Sequence, residues 1–324
     1  MIDLYELLKY RIKNKPYVLE GIKIFYNEMR EVFQELMLHG LSEERFFENN
    51  SFHGGTCLRL VYGSKRYSED LDFNMKNDDP DFSWMPYFNK LNEYTKKLGF
   101  ELIIGEKYSS DKYTVKRLTI NGKNMVDIIH NKGIVPARLT KSKNRPNIEI
   151  KLETSYYKSR FNSEKKELSF PTIFNIEAFD INCLFAGKLH ATLTRTKKIK
   201  EKDKVTKEVI REYRVDENKG RDWYDFIWYV QQGIEPNWRY LKEKLKGNDK
   251  WKVEDINVDE KWIKEQLKLK MERLDYNKMN IELSDYIKAN DNFILNKDII
   301  EKHINMMGKD GYKIKYNKDN DEWN

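Results

Sequence analysis

Apolar residues recur every three or four positions through the first 48 residues, which predicts helices with one apolar face. The recurring positions include Tyr17, Ile24, Phe25, Met29, Val32, Phe33, Leu36 and Met37. Beyond residue 50 the spacing shortens, because apolar and polar residues alternate over short segments bounded by Gly, Asn and Asp. That alternation is typical of strands. The chain is therefore expected to begin with helices and to continue into a sheet.

Short strands are predicted through the next hundred residues. The pattern favours strands at residues 50–53, 100–104, 113–120, 125–129 and 147–155, and a helix at 84–98. The Asn121-Gly122 pair lies between two of these strands and indicates a hairpin. From residue 176 onward the pattern turns helical, most clearly at 179–195 and 222–232 and more weakly from 238 to 308. The polar stretch 308–324 is expected to be partly ordered at best.

Composition indicates a folded protein with a heavily charged surface. The chain has 324 residues, of which 35% are charged and 13% aromatic, and the aromatic residues are spread along its whole length. This length suits one large domain or two moderate ones. We predict an α+β fold with a mixed helix-and-strand domain at residues 1–170 and a mainly helical domain at 171–324.

Charge and cysteine content narrow the classes of function. The net charge of +7 is compatible with a polyanionic partner and does not identify one. The two cysteines, Cys57 and Cys183, lie far apart and lack the spacing of a disulfide framework or a zinc site. No signal peptide is apparent, and no apolar run approaches the roughly 20 residues that span a bilayer. We expect a cytoplasmic protein without a membrane partner.

The most informative segment combines a glycine pair with two aspartates. Gly54 and Gly55 precede an apolar helix predicted at 56–62, and Asp70 and Asp72 lie two apart on a predicted strand. Side chains at this spacing share one face of a strand. Paired carboxylates suit Mg²⁺, and glycines at a helix start let the backbone approach a phosphate. Together these features predict chemistry on a nucleotide.

This segment resembles the polymerase-β-like nucleotidyltransferase superfamily, whose pattern is a glycine pair, a spacer and Asp-x-Asp. The sequence around this motif resembles one particular family, the AbiEii-type nucleotidyltransferase toxins of bacterial abortive-infection and toxin–antitoxin systems. The narrower likeness is carried by Arg59-Leu60, Tyr62-Gly63, Arg66 and Ser68-Glu69-Asp70-Leu71-Asp72-Phe73. The resemblance covers roughly residues 50–235. It implies a polymerase-β-like core with a mixed sheet and a mainly helical C-terminal half.

A later segment resembles the second signature of this family. In it Lys188 and Arg195 lie seven apart on a predicted helix, and a following helix opens with Arg221-Asp222-Trp-Tyr-Asp225. Seven residues is close to two helical turns, so Lys188 and Arg195 share a face. The resemblance implies that Lys188 faces the triphosphate, that Arg195 faces phosphate or RNA, and that Asp222 belongs to the active site. Asp225 is expected to hold Arg221 or Lys188 in place.

Other roles remain open for two of these residues. Asp222 lies at the start of a predicted helix, where a carboxylate caps the helix and interacts with its dipole. Lys188 has the alternative of a solvated helix lysine, although its apolar neighbours disfavour that role.

The resemblance assigns a complete set of site residues. Catalysis is assigned to Asp70, Asp72, Lys188 and Asp222, and nucleotide binding to Gly54, Gly55, Thr56, Arg66, Lys188 and Arg195. One or two Mg²⁺ ions are expected on Asp70, Asp72 and a third carboxylate. Glu149 and Asp127 both lie between apolar residues and fit that third position. We favour Glu149 because polar residues at 149, 151 and 153 share one face of its predicted strand.

A charged segment at residues 196–221 separates the two helices of the second signature. It contains ten Lys or Arg against six Asp or Glu, where relatives usually have a short connection. It has two interpretations, an arm that contacts nucleic acid or a solvated hairpin or helix extension. We favour the second, because the acidic residues offset more than half of the positive charge.

The leading functional hypothesis is a nucleotidyltransferase toxin that transfers nucleotides from an NTP to RNA. By resemblance the acceptor is the end of a tRNA, the effect is inhibition of translation, and the partner is a cognate antitoxin protein. A second hypothesis keeps the enzyme and changes the acceptor to a protein or a small molecule. A third is an inactive nucleotidyltransferase fold that serves as a binding module, which the intact Asp70, Asp72 and Lys188 disfavour.

Overall fold

The structure is a computed structural model in which two compact units can be distinguished. It describes residues 3–15, 21–105, 115–121, 129–130, 133, 148–157, 160–202, 206, 209–246, 257–288, 293–308, 316–317 and 322–323. The first unit comprises Met1–Asp180 together with Tyr286–Lys288. The second comprises Ile181–Asp285 and Ala289–Asn324.

Within the described residues, the first unit has four helices with defined bounds, two of which precede its first strand in the chain. They are α1 (Leu4–Asn14), α2 (Ile22–Glu43), α3 (Gly54–Leu60) and α4 (Met85–Lys97), with a 3₁₀ turn at Phe46–Glu48. The apolar face predicted for α2 is confirmed, since Phe25, Met29, Val32 and Phe33 are fully buried. The helix also buries Glu28 and Glu31, whose charges are neutralised by basic side chains of α1 and α3.

A six-stranded mixed sheet forms the centre of the first unit. Its strands are β1 (Asn50–His53), β2 (Leu71–Met75), β3 (Val115–Ile120), β4 (Ile150–Ser155), β5 (Ser163–Leu168) and β6 (Phe174–Phe179). They lie in the order β3-β4-β2-β1-β6-β5. The pairs β1–β6 and β2–β4 are parallel, while β1–β2, β3–β4 and β5–β6 are antiparallel. This mixed sheet with flanking helices confirms the predicted α+β class.

The register between β2 and β4 separates an apolar face from a polar one. Leu71 pairs with Leu152, and Asp72 pairs with Glu153. Leu71, Leu152 and Phe73 are fully buried. Because side chains alternate along a strand, Asp72 and Glu153 lie on the opposite face, as do the positions two residues away from each of them.

Several predicted boundaries in the first unit differ from the structure. The helix predicted at 56–62 begins at Gly54, so the glycine pair forms its first turn. The strand predicted at 100–104 is wrong, since only Ile104 forms an isolated bridge, with Ile120. Residues 176–179, predicted as helical, end strand β6 instead, because apolar and polar residues alternate there. The predicted turn at Gly122 and most of the strand at 125–129 lie outside the described residues.

The second unit is mainly helical, as predicted. Its helices are α5 (Ile181–Thr194), α6 (Gly220–Gln231), α7 (Trp238–Leu245), α8 (Glu260–Met271), α9 (Tyr276–Leu283) and α10 (Lys297–Met306). Strands β7 (Thr196–Lys202) and β8 (Val209–Asp216) form an antiparallel hairpin from the charged segment. Two short strands, β9 (Tyr316–Asn317) and β10 (Glu322–Trp323), pair near the C-terminus.

Aromatic stacking joins the first two helices of this unit, with the rings of Phe185 on α5 and Tyr229 on α6 only 4.6 Å apart between centroids. Within the described part of the chain, every helix is too short or too polar to cross a membrane.

Candidate active site

Asp72 lies in β2, in the middle of the sheet, and Asp70 directly precedes that strand. Asp72 lies opposite His53 on β1 and opposite Glu153 on β4. Asp72 therefore has a paired strand on each side, β1 on one and β4 on the other. The two aspartates are separated by the fully buried Leu71, so they share the polar face, as the sequence predicts.

Gly54 brings the backbone directly against Asp72. Its φ of +81° lies in the region that favours glycine. A Cβ at this position would lie 2.2 Å from Oδ2 of Asp72. A side chain at residue 54 would therefore collide with the carboxylate as well as strain the backbone, and both effects require glycine.

Gly55 plays a similar part for the loop that connects α3 to β2. A Cβ there would lie 2.7 Å from Nη2 of Arg66 and 2.8 Å from Oγ of Ser68. Arg66 is buried, and its Nη1 donates to the carbonyl of Tyr67 at 2.9 Å. The predicted nucleotide-binding role of Arg66 stays a prediction. Its observed contacts support the loop.

Thr56 ties helix α3 to the first aspartate. Its hydroxyl donates to the backbone carbonyl of Asp70, and the residue is almost completely buried. The glycine-threonine turn is thus bonded to the residue that directly precedes β2.

Lys151 is a site residue that the sequence interpretation did not single out. Its Nζ lies 3.5 Å from Oδ1 of Asp70 and 3.7 Å from Oε1 of Glu149. All three side chains are about one-third exposed, with 34% of each accessible. The polar alternation at 149, 151 and 153 was the available signal. The pairing of β4 with β2, which places these side chains beside Asp70, is a long-range contact.

The donor set on this face has the chemistry that Mg²⁺ requires. Hard carboxylate oxygens are its preferred protein ligands, and one or two of them suffice when substrate phosphates complete the shell. Asp70 and Asp72 meet that requirement. Among the described residues, no three His, Cys, Asp or Glu side chains converge as a ready metal cluster. Glu149 pairs with Lys151, and Asp127 lies outside the described residues.

Glu153 is the carboxylate nearest to Asp72 in the strand register. Arg117 on β3 donates from Nε to Oε1 of Glu153 at 2.5 Å. Its carboxylate is therefore occupied by a guanidinium from the next strand.

The second unit brings Lys188, Arg195, Asp222 and Asp225 together. Nζ of Lys188 lies 3.0 Å from Oδ1 of Asp222 and 2.8 Å from Oδ2 of Asp225. Nε of Arg195 donates to Oδ2 of Asp222 at 2.8 Å. The predicted common face of Lys188 and Arg195 therefore exists. Asp225 binds Lys188, one of the two partners expected for it.

The N-terminus of α6 positions the two carboxylates of this cluster. Asp222 lies in the first helical turn, where the helix dipole favours a negative charge. A Cβ on Gly220 would lie 2.2 Å from the carbonyl of Met279, so α6 packs closely on α9 at this point. Arg221 pairs with Glu282 of α9, with 3.3 Å between Nε and Oε1. These contacts hold the start of α6 in place and so orient the side chains of Asp222 and Asp225.

A mixed sheet that carries an Asp-x-Asp strand against a glycine turn is the arrangement of a nucleotidyltransferase. The chain belongs to the AbiEii family of nucleotidyltransferase toxins of type IV toxin–antitoxin systems, whose model matches residues 35–293. The resemblance drawn from the sequence is thereby confirmed. Membership implies an NTP substrate and an antitoxin partner. The comparison with curated proteins finds no match.

Two solved structures of bacterial proteins match this chain. JHP933 from Helicobacter pylori is 16% identical with a TM-score of 0.42, and the match covers 85% of this chain and 88% of that one. MenT4, a nucleotidyltransferase toxin from Mycobacterium tuberculosis H37Rv, is 12% identical with a TM-score of 0.47, and the match covers 92% of this chain and 88% of that one.

Proposed function

We propose that this toxin transfers nucleotides from an NTP to RNA, that its acceptor is the end of a tRNA, and that it thereby inhibits translation. The polymerase-β-like motif and the family supply the nucleotidyl-transfer part of the proposal. The RNA acceptor and a role in phage defence rest on the resemblance of the two sequence signatures.

One observation carries the proposal. Asp72 lies on the polar face of β2 and Asp70 directly precedes that strand, and the glycine turn at Gly54 comes so close to Asp72 that no side chain fits between them. Because residue 54 has no side chain, its backbone and the Asp72 carboxylate could face the same ligand, a phosphate beside a metal ion. An isolated edge strand with solvated acids would not need such a glycine.

Asp70 and Asp72 would hold Mg²⁺, with Glu149 as the proposed third carboxylate. The ion would supply Lewis-acid stabilisation of the phosphate oxygens. The residues of the chain have separate tasks. Gly54 and Gly55 would let the phosphate approach the backbone closely. Thr56 would keep Asp70 in place through the hydrogen bond from its hydroxyl to the carbonyl of Asp70.

Lys188 and Arg195 are the proposed cationic contacts of the triphosphate and of phosphate or RNA. Both are held by Asp222, and Lys188 also by Asp225, so their charges are oriented before a substrate binds. Preorganised cations stabilise developing negative charge without reorganisation during the reaction. Asp222 would act by orienting both.

The direct test is incubation of the purified protein with each labelled NTP and Mg²⁺, with total RNA in one series and total protein in another. The proposal expects label in RNA of tRNA size, and it expects that label to disappear in Asp70→Ala. Label found only in protein or in a small molecule would show that the acceptor is not RNA and would support the second hypothesis. No incorporation with any acceptor, from a protein that still binds NTP, would support a binding module.

A further inference from the structure

The loop between α3 and β2 is held by a segment from far along the chain. The backbone N–H of Tyr67 donates to the carbonyl of Tyr286 at 2.7 Å. The hydroxyl of Tyr286 donates to Oε2 of Glu69 at 2.9 Å. Residues Tyr286–Lys288 belong to the first unit, although the residues on either side of them belong to the second. This short segment is therefore part of the framework that supports Asp70.

Helix α2 holds the same loop through two polar side chains. Nε2 of Gln34 donates to the carbonyls of Ser68 and Glu69, at 3.1 Å and 2.9 Å. Nη2 of Arg30 lies 3.8 Å from Oε1 of Glu69. The two carboxylate oxygens of Glu69 are thus engaged by different elements, and its carbonyl by a third side chain.

Every residue from 67 to 70 is bonded to another element. The hydroxyl of Tyr67 donates to Oε2 of Glu28 at 2.7 Å, and Thr56 binds the carbonyl of Asp70. Loops usually leave such groups to solvent. A loop fixed residue by residue, immediately before a carboxylate of the site, indicates that its exact path matters for that carboxylate.

We propose that Tyr286 and Glu69 form a positioning pair that fixes the loop 67–70 and thereby the position of Asp70. The catalytic consequence rests on the proposed function, whereas the mechanical part rests on the contacts alone. Reacting groups that are displaced by about 1 Å can lose about a hundredfold in rate. A hydroxyl–carboxylate bond next to Asp70 is therefore able to change turnover without touching substrate.

The mechanical part is tested by hydrogen exchange on the protein alone, without NTP or acceptor. Tyr286→Phe removes the hydroxyl that anchors the segment, and we expect the amide of Tyr67 to exchange about fivefold faster, as for the loss of one hydrogen bond. Tyr276→Phe is the matched control. Its hydroxyl donates to the carbonyl of Met271 within the second unit, so the exchange of Tyr67 should not change.

The catalytic part is tested by steady-state kinetics of the same variants. Tyr286→Phe should lower kcat about tenfold and leave the KM for NTP within about twofold. Glu69→Ala should do the same, and Tyr286→Phe should add nothing in the Glu69→Ala background, because the pair acts as one unit. Glu69→Gln keeps an acceptor for the hydroxyl and should restore most of the rate.

Two results would overturn the proposal. One is unchanged exchange at Tyr67 in Tyr286→Phe, and the other is a fully multiplicative loss in the double variant. If the wild-type protein transfers no nucleotide, the proposed function fails, and the exchange measurement alone decides whether Tyr286 and Glu69 hold the loop.

Discussion

The charged clusters that contain the proposed site residues differ sharply in burial between the two units. On the sheet of the first unit, the side chains of Asp70, Glu149 and Lys151 are each 34% exposed. In the second unit, the side chains of Asp222 and Asp225 are 4% and 0% exposed. The side chains of the first cluster are partly open to solvent, so exchanging their contacts for a ligand should cost less than breaking the buried pairs of the second.

Mutations in the buried cluster are expected to cost more stability. Removing one partner of a buried ion pair costs about 3–5 kcal/mol, because the remaining charge stays out of water. A loss of activity after mutation in the second unit therefore has two sources, chemistry and stability. In the sheet cluster of the first unit, a loss of activity reports mainly on chemistry.

The largest effect is expected for Asp70→Ala and Asp72→Ala. Loss of a metal ligand should lower nucleotide transfer by at least ~10³, since Lewis-acid stabilisation amounts to several kcal/mol. The thermal unfolding midpoint should stay close to that of the wild type, because Asp70 is partly exposed. Incorporation of labelled nucleotide and a melting curve measure both quantities. Near-normal incorporation would refute the metal-site assignment.

Lys188→Ala is expected to have the next largest effect. It should abolish toxicity in cells and lower kcat by about a hundredfold, as for the loss of a preorganised charge. It should also lower the unfolding midpoint by several degrees, because buried Asp225 loses its ammonium partner. Lys188→Arg should rescue only partly, since the guanidinium is larger and planar.

Two variants separate chemistry from stability in this case. Asp225→Asn breaks the same buried pair but keeps the lysine, so its kcat should fall less than that of Lys188→Ala at a similar loss of stability. Thr192→Ala is a neutral control one turn along α5. The buried hydroxyl of Thr192 has no hydrogen-bond partner among the described residues, so little is lost with it. If the Lys188→Ala variant stayed fully toxic, the second unit would have no part in the proposed chemistry through Lys188.

Several features of both clusters were predictable because they depend on local periodicity. The strand period of two places Asp70 and Asp72 together, and the helix period places Lys188 and Arg195 together. Neither requires knowledge of distant contacts. The hairpin of β7 and β8 is one of the two forms expected for the charged segment, and its role remains a prediction.

The missed features depend on contacts between distant residues. Lys151 reaches Asp70 only because β4 pairs with β2 in one particular register. Tyr286 lies 217 positions from Glu69, and no local pattern marks it. Strand β6 was predicted as helix from residue 176 because the helical pattern of α5 follows it closely. Tertiary pairing decided each of these cases.

Glu149→Gln tests the third carboxylate and should have an intermediate effect. If Glu149 helps to bind the ion, the variant should lower activity about tenfold and raise the Mg²⁺ concentration needed for half-maximal transfer. Asp127→Asn should be mild. The reverse pattern in a Mg²⁺ titration of the two variants would give the role to Asp127.

The smallest effect, and the most specific to the exposed cluster, is expected for Lys151→Ala. The ammonium of Lys151 lies within 3.5 Å of Asp70 and 3.7 Å of Glu149, so it partly neutralises the carboxylates that would bind Mg²⁺. Its removal should strengthen Mg²⁺ binding and lower the half-saturating concentration about threefold, the scale of one exposed ion pair. Lys166→Ala removes a lysine paired with Glu164 on β5 and serves as the matched control. If Lys151→Ala instead weakened NTP binding at saturating Mg²⁺, Lys151 would contact the phosphates directly rather than modulate the metal.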